Sequence, residues 1–98
     1  MHVASLTMEL RIPAAHSLKD KRATLRPILD GARRRFAVAA AEVGCQDAWQ
    51  SAVVGMAAVS GSASHAREVL DSVERFVWSF PEIEVSRATR GWMSDEDS

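Results

Sequence analysis

Seven of the twelve basic residues in this chain lie in the twenty positions from His16 to Arg35. They are Lys19, Lys21, Arg22, Arg26, Arg33, Arg34 and Arg35. Only Asp20 and Asp30 oppose them, so the stretch carries +5. The whole chain is −1, and the remainder therefore sums to −6. Cations gathered in this way suit a polyanion. Each Lys or Arg set against a phosphate releases a counterion, and arginine adds a two-pronged hydrogen bond. Lys19, Arg22, Arg26 and Arg33 recur at three, four and seven, which places them in one stripe if the segment is helical. All seven are read as a phosphate-facing strip, nearly all of whose contacts would be to backbone rather than base. The plainer reading is a solvated helix face that aids solubility.

Signals for catalysis are sparse. His2, His16 and His65 are few and scattered, and with Cys45 they form no metal-ligand spacing. His16 stands beside a helix start, where capping or packing is its expected role. Glu42 and Asp47 flank Cys45 and disfavour its thiolate. Glu42–Gln50 is dense in polar groups around a turn and is read as a stitch between two strands. A cleft joining His16, Glu42 and Asp47 is the enzymatic alternative. No catalytic residues, metal site or cofactor are assigned.

The elements that position these groups follow from periodicity. In residues 2–12, Ala4, Leu6, Met8, Leu10 and Ile12 alternate with a more polar set, the pattern of a half-buried strand closed by Pro13. Ser17 fits a helix N-cap, with Asp20 three residues on. Leu18, Leu25, Ile28, Leu29 and Ala32 then form a core-facing stripe. Pro27 falls on the solvent side and predicts a kink, and Gly31 weakens the helix further. Arg33–Arg35 occupy its last turn. Residues 36–43 read as a short strand at a sheet edge, 44–49 as a loop and 50–60 as a buried strand. A second helix runs from Ser64 to about Phe80, with Val69, Leu70, Val73, Phe76, Val77 and Phe80 inward, and Pro81 stops it. Residues 82–92 alternate again, and 93–98 read as an acidic tail. Trp49 and Trp92 are expected as packing anchors. Trp78 lies off its helix's buried stripe.

The order strand-helix-strand-strand-helix-strand is that of two split βαβ halves. It predicts an α+β, ferredoxin-like domain over 1–92: a four-stranded antiparallel sheet with both helices on one face. Ninety-eight residues, 47% of them apolar, suit one such core. The third strand is apolar on both sides, so its open face needs cover, and a homodimer through the sheet is the simplest source. RNA recognition of the RRM type is not expected, because no aromatics mark the open face. One cysteine, no apolar run of membrane length and no signal-peptide pattern fit a cytoplasmic protein without a membrane role.

Two strings, RIPAAHSLKDKR (11–22) and AEVGCQDAWQ (41–50), together with the opening MHVASLTMEL, resemble the bacterial YlxP-like family, domain of unknown function 503. The resemblance spans Met1 to about Trp92. It implies a ferredoxin-like fold and no catalytic residue set. Members often lie beside translation and ribosome-maturation genes, which implies an RNA or ribosomal-subunit partner. Pro27 and Cys45 depart from the family pattern. The expectation is an RNA- or ribosome-associated accessory protein. The alternative is a homodimeric protein-interaction module using the open sheet, with no nucleic-acid role.

Overall fold

The computed structural model describes residues 1–95. Alternation makes strand β1, His2–Arg11, whose even-numbered residues are buried. Helix α1 follows at Leu18–Phe36, then β2 at Ala39–Gly44 and β3 at Ser51–Ser60. Helix α2 spans Ala63–Trp78 and β4 Glu84–Ser94. The sheet order is β2-β3-β1-β4, and all three pairings are antiparallel. Each helix carries the chain past one intervening strand, as a split βαβ unit requires. The ferredoxin-like architecture expected from the periodicity is the one observed.

The helices pack on the even-numbered face of β1 and β3. Leu6, Met8 and Val54 are fully enclosed there, with Leu70, Val73 and Val77 of α2. On α1 the inward residues are Lys21, Leu25, Ile28 and Ala32. Ser17 caps α1 by accepting from the Asp20 N–H at 3.0 Å, and Asp20 in turn accepts from the His16 N–H at 2.9 Å. This resembles a capping box, except that the Asp20 carboxylate takes the N–H of the residue before the cap. The helix continues through Pro27, whose position is exposed, and through the Arg33–Arg35 turn to Phe36. Ala37 ends it in the left-handed region at φ 54°, and its N–H donates to Arg33 O. The second strand therefore starts at residue 39 rather than 36. The cations of the last turn favour the helix C-terminus, and the left-handed Ala37 stops the helix although the alanines beyond it also suit a helix. The last strand also runs past 92, to Ser94. Residues 96–98 of the expected acidic tail lie outside the described residues.

One inward residue of α1 is charged. Lys21 has no exposed surface. Its Nζ donates to the carbonyls of Cys45 at 2.8 Å, Ser51 at 3.2 Å and Gln46 at 3.3 Å. The Oε2 of Glu42 lies 2.8 Å from the same nitrogen. The cage closes the β2–β3 connection against α1. Gln50 adds to it by donating to the carbonyls of Pro13, at 3.0 Å, and Ala15, at 3.1 Å. Lys21 is thus withdrawn from the expected phosphate strip: an ammonium held by four oxygens in the interior does not face a ligand. Trp49, expected as the anchor of this corner, is 54% exposed. Lys21 and Gln50 hold the corner instead.

Where the helices meet, a Cβ on Gly31 of α1 would lie 2.5 Å from the Phe76 ring of α2. That ring is wedged edge-on between Phe36 and Phe80, with centroids 5.6 and 5.1 Å away. It has little room to yield. No helix among the described residues is long and apolar enough to cross a membrane.

Two outcomes follow for stability. Gly31→Ala gains about 1 kcal/mol of helix propensity but loses about 1–3 kcal/mol to overpacking. Thermal unfolding should show a net fall in Tm of a few degrees. Lys21→Met strands the Glu42 carboxylate and three carbonyls, costing about 3–5 kcal/mol in urea unfolding. Adding Glu42→Leu to that variant should recover part of the loss, because the uncompensated charge is gone.

Candidate nucleic-acid interface

An α-helix advances about 100° per residue. On that wheel Arg22, Arg26 and Arg33 fall within about 40° of one another, with Lys19 alongside. Lys21 falls instead amid Leu25, Ile28 and Ala32. Each of those stands four, seven or eleven residues after it, so the apolar spacing itself marks Lys21 as inward. That signal was present in the sequence and was masked by the residue's charge.

Lys19, Arg22, Arg26 and Arg34 are exposed, and none forms a hydrogen bond or ion pair with the described residues. Arg22, Arg26 and Arg33, with Leu29 and Asp30, line a shallow depression of about 270 Å³ on the outer side of α1. From Arg22 to Arg33 the helix rises about 17 Å. The two acids of the stretch leave Lys19, Arg22, Arg26 and Arg34 unpaired, but one of them neutralises the Arg33 end of the ridge. Asp20 is spent on the cap. Asp30 binds Arg33 Nη1 at 2.9 Å.

Arg33 and Arg35 also have work inside the chain. Arg33 donates from Nε, at 3.0 Å, and Nη2, at 2.5 Å, to the carbonyl of Ala40 on β2. The guanidinium of Arg35 sits over the rings of Phe76 and Phe36, 5.0 and 5.6 Å from their centroids. Of the seven cations, four stand clear and Arg33 forms one wall of the depression. Arg35 leans onto the aromatic cluster, and Lys21 is enclosed.

The groups named for catalysis do not assemble. Glu42 turns inward to Lys21, away from any cleft with His16 and Asp47. Among the described residues no cluster of three or more His, Cys, Asp or Glu could hold a metal ion. A second charged group lies on α2. Arg90 of β4 donates to Asp71 at 2.9 Å and Glu74 at 2.8 Å. Partial burial works against its charge, but hydrogen bonds and attraction from Glu74 and Asp71 outweigh it and raise its pKa. Asp71 and Glu74 of α2 are thus paired with Arg90 and lie on a different helix from the exposed cations of α1. Nearby, Trp92 stacks on His2 with ring centroids 5.1 Å apart, under the guanidinium of Arg67 at 5.6 Å. Alternation placed Trp92 on β4, but this stack was not legible, since His2 and Arg67 are distant in sequence.

Comparison with known proteins agrees with this frame. A de novo designed protein with a ferredoxin fold, solved by NMR, superposes with a TM-score of 0.57. The match covers 100% of this chain and 91% of that one at 10% identity, so it speaks to the fold alone. An uncharacterized protein, YlxP of Bacillus subtilis (strain 168), is 44% identical over 78 residues, covering 80% of this chain and 85% of the relative. Residues 3–90 match the family described as "Protein of unknown function (DUF503)". Matched by that family over residues 3–90 and by this relative over 80% of its length, the chain belongs to the DUF503 family.

Proposed function

We propose that this protein binds the phosphate backbone of RNA, free or in a ribosomal subunit, through the outer side of α1. One observation carries the reading: Lys19, Arg22, Arg26 and Arg34 stand exposed on one helix without acidic partners among the described residues. Four such cations, with Arg33 beside them, match a polyanion better than a small anion, because they spread along the helix rather than converging on one point. Contacts of this kind set position and affinity with little reading of sequence. The ridge is rigid at both ends. The Ser17 cap and the Lys21 cage hold its start, and Arg33 on Ala40 holds its finish.

A second reading has support in the open face of the sheet. Val53, Gly55, Ala57 and Val59 of β3 lie there beside Ala39, Ala41 and Val43 of β2, with Val59 65% and Val43 58% exposed. A protein partner, a second copy included, covering this face would leave the basic ridge a solvated surface. Protein capture that survives RNase treatment favours it over the first reading.

The ridge is tested by fluorescence anisotropy with a labelled RNA hairpin and by co-sedimentation with ribosomal subunits. With four phosphate contacts, log K should fall against log salt with a slope of roughly −3 to −4. Arg22→Glu with Arg26→Glu should weaken binding at least about tenfold and flatten that slope, with the melting temperature unchanged. Arg33 is left intact because it also holds β2. Absence of binding at low salt to both hairpin and subunits overturns the reading.

A further inference from the structure

The two edges of the sheet are finished differently. On β2 the edge is six residues long and bulged at Val43, and the Arg33 guanidinium covers the Ala40 carbonyl. On β4 the edge is eleven residues long. Its only irregularity is the register shift at Ser86, between the Glu9 and Leu10 pairings. From Arg87 onward it is regular and holds no proline. Every residue of β4 except Val85 is exposed. Proteins usually blunt a long, regular edge, because its unpaired amides and carbonyls form a template for another strand.

The direction of those groups can be read from one bond. The Asp95 N–H donates to Met1 O, toward β1. Backbone groups alternate along an antiparallel strand. Those of Met93, Gly91, Thr89 and Arg87 therefore also turn to β1, and those of Ala88, Arg90 and Trp92 turn outward. No described residue bonds to the outward groups of these three.

We infer that β4 pairs antiparallel with β4 of a second copy about a two-fold axis at Gly91, forming a continuous eight-stranded sheet. Charge disfavours the neighbouring register centred on Arg90, and strand length the one centred on Trp92. Centred on Gly91, Arg90 lies opposite Trp92 of the partner subunit, and Arg87 lies opposite Asp95 of the partner subunit. Centring on Arg90 instead sets its guanidinium directly against its own copy, and like charges opposite one another are unfavourable. Centring on Trp92 carries Ala88 past the end of the partner strand. In the Gly91 register, the Arg90–Trp92 pairs exchange backbone hydrogen bonds on both sides of the axis. The glycine pair, free of side chains, sits at the closest approach. Both helices of each copy remain on one face of the joined sheet.

The full chain is examined by sedimentation velocity over a range of concentrations. A reversible dimer with micromolar Kd is expected. Ala88→Pro removes an N–H that points to solvent in the monomer, which an edge strand tolerates. It should raise the Kd more than about tenfold while the circular dichroism stays native. The register is read independently by Thr89→Cys with Met93→Cys in a Cys45→Ser background. Opposed at a Cα separation of about 4.5 Å, these two should form intermolecular disulfides, and neither single variant should. A wild type that stays monomeric overturns the proposal. So does a dimer that folded Ala88→Pro leaves intact and the cysteine pair fails to cross-link. Dissociation by Val59→Glu alone would assign such a dimer to the open face. If Ala88→Pro does not fold, the cross-link decides.

Discussion

One buried ammonium group sets the geometry of the corner where α1 meets β2 and the β2–β3 connection. Lys21 Nζ meets three carbonyls and a carboxylate at the point where α1 begins and the β2–β3 connection turns back. An interior cation is tolerable only when such partners replace its lost water. The cage therefore works in both directions. It satisfies Lys21, and it dictates how the 45–51 backbone lies, including Cys45, which adopts φ 57° where a side chain is unfavourable. Segments 11–22 and 41–50 converge here, and their polar groups are accounted for in good part by this packed corner.

That cage also orients the basic ridge. Lys21 faces the core, so its neighbours Lys19 and Arg22 are turned roughly a quarter to half a turn away, toward solvent. Burying one cation thus contributes to the display of the others. The charge segregation visible in the sequence survives folding, but with a division of labour. Lys21 and Arg33 brace β2 and its loop, and Arg35 covers an aromatic cluster. Lys19, Arg22, Arg26 and Arg34 form the accessible surface.

The fold was largely legible in the sequence. Period-two alternation in β1 and β3 and the apolar stripes of both helices mark buried faces, and burial is what those patterns record. The inward set of β1 is the one read from alternation. Element ends were less legible. The α1–β2 boundary depends on where a left-handed residue terminates the helix, and Ala37 is not a residue type that announces this. The site was legible only in part. Charge type showed where cations gather along the chain, but not which of them the fold consumes. Lys21 could have been assigned by its place in the heptad-like apolar spacing. Arg33 could not, because the Ala40 carbonyl it binds becomes available only once α1 lies along the sheet edge.

The Arg33 contact reaches beyond local stability. A sheet with two open margins can recruit strands at both, and head-to-tail growth of that kind has no natural limit. Here Arg33 occupies the Ala40 carbonyl on the β2 margin, and Gln46 occupies that of Glu42. In the proposed assembly, joining through β4 would consume the other margin of each copy and leave these partly capped strands at both extremities. The guanidinium that hinders further growth there is supplied by the same helix that carries the exposed cations.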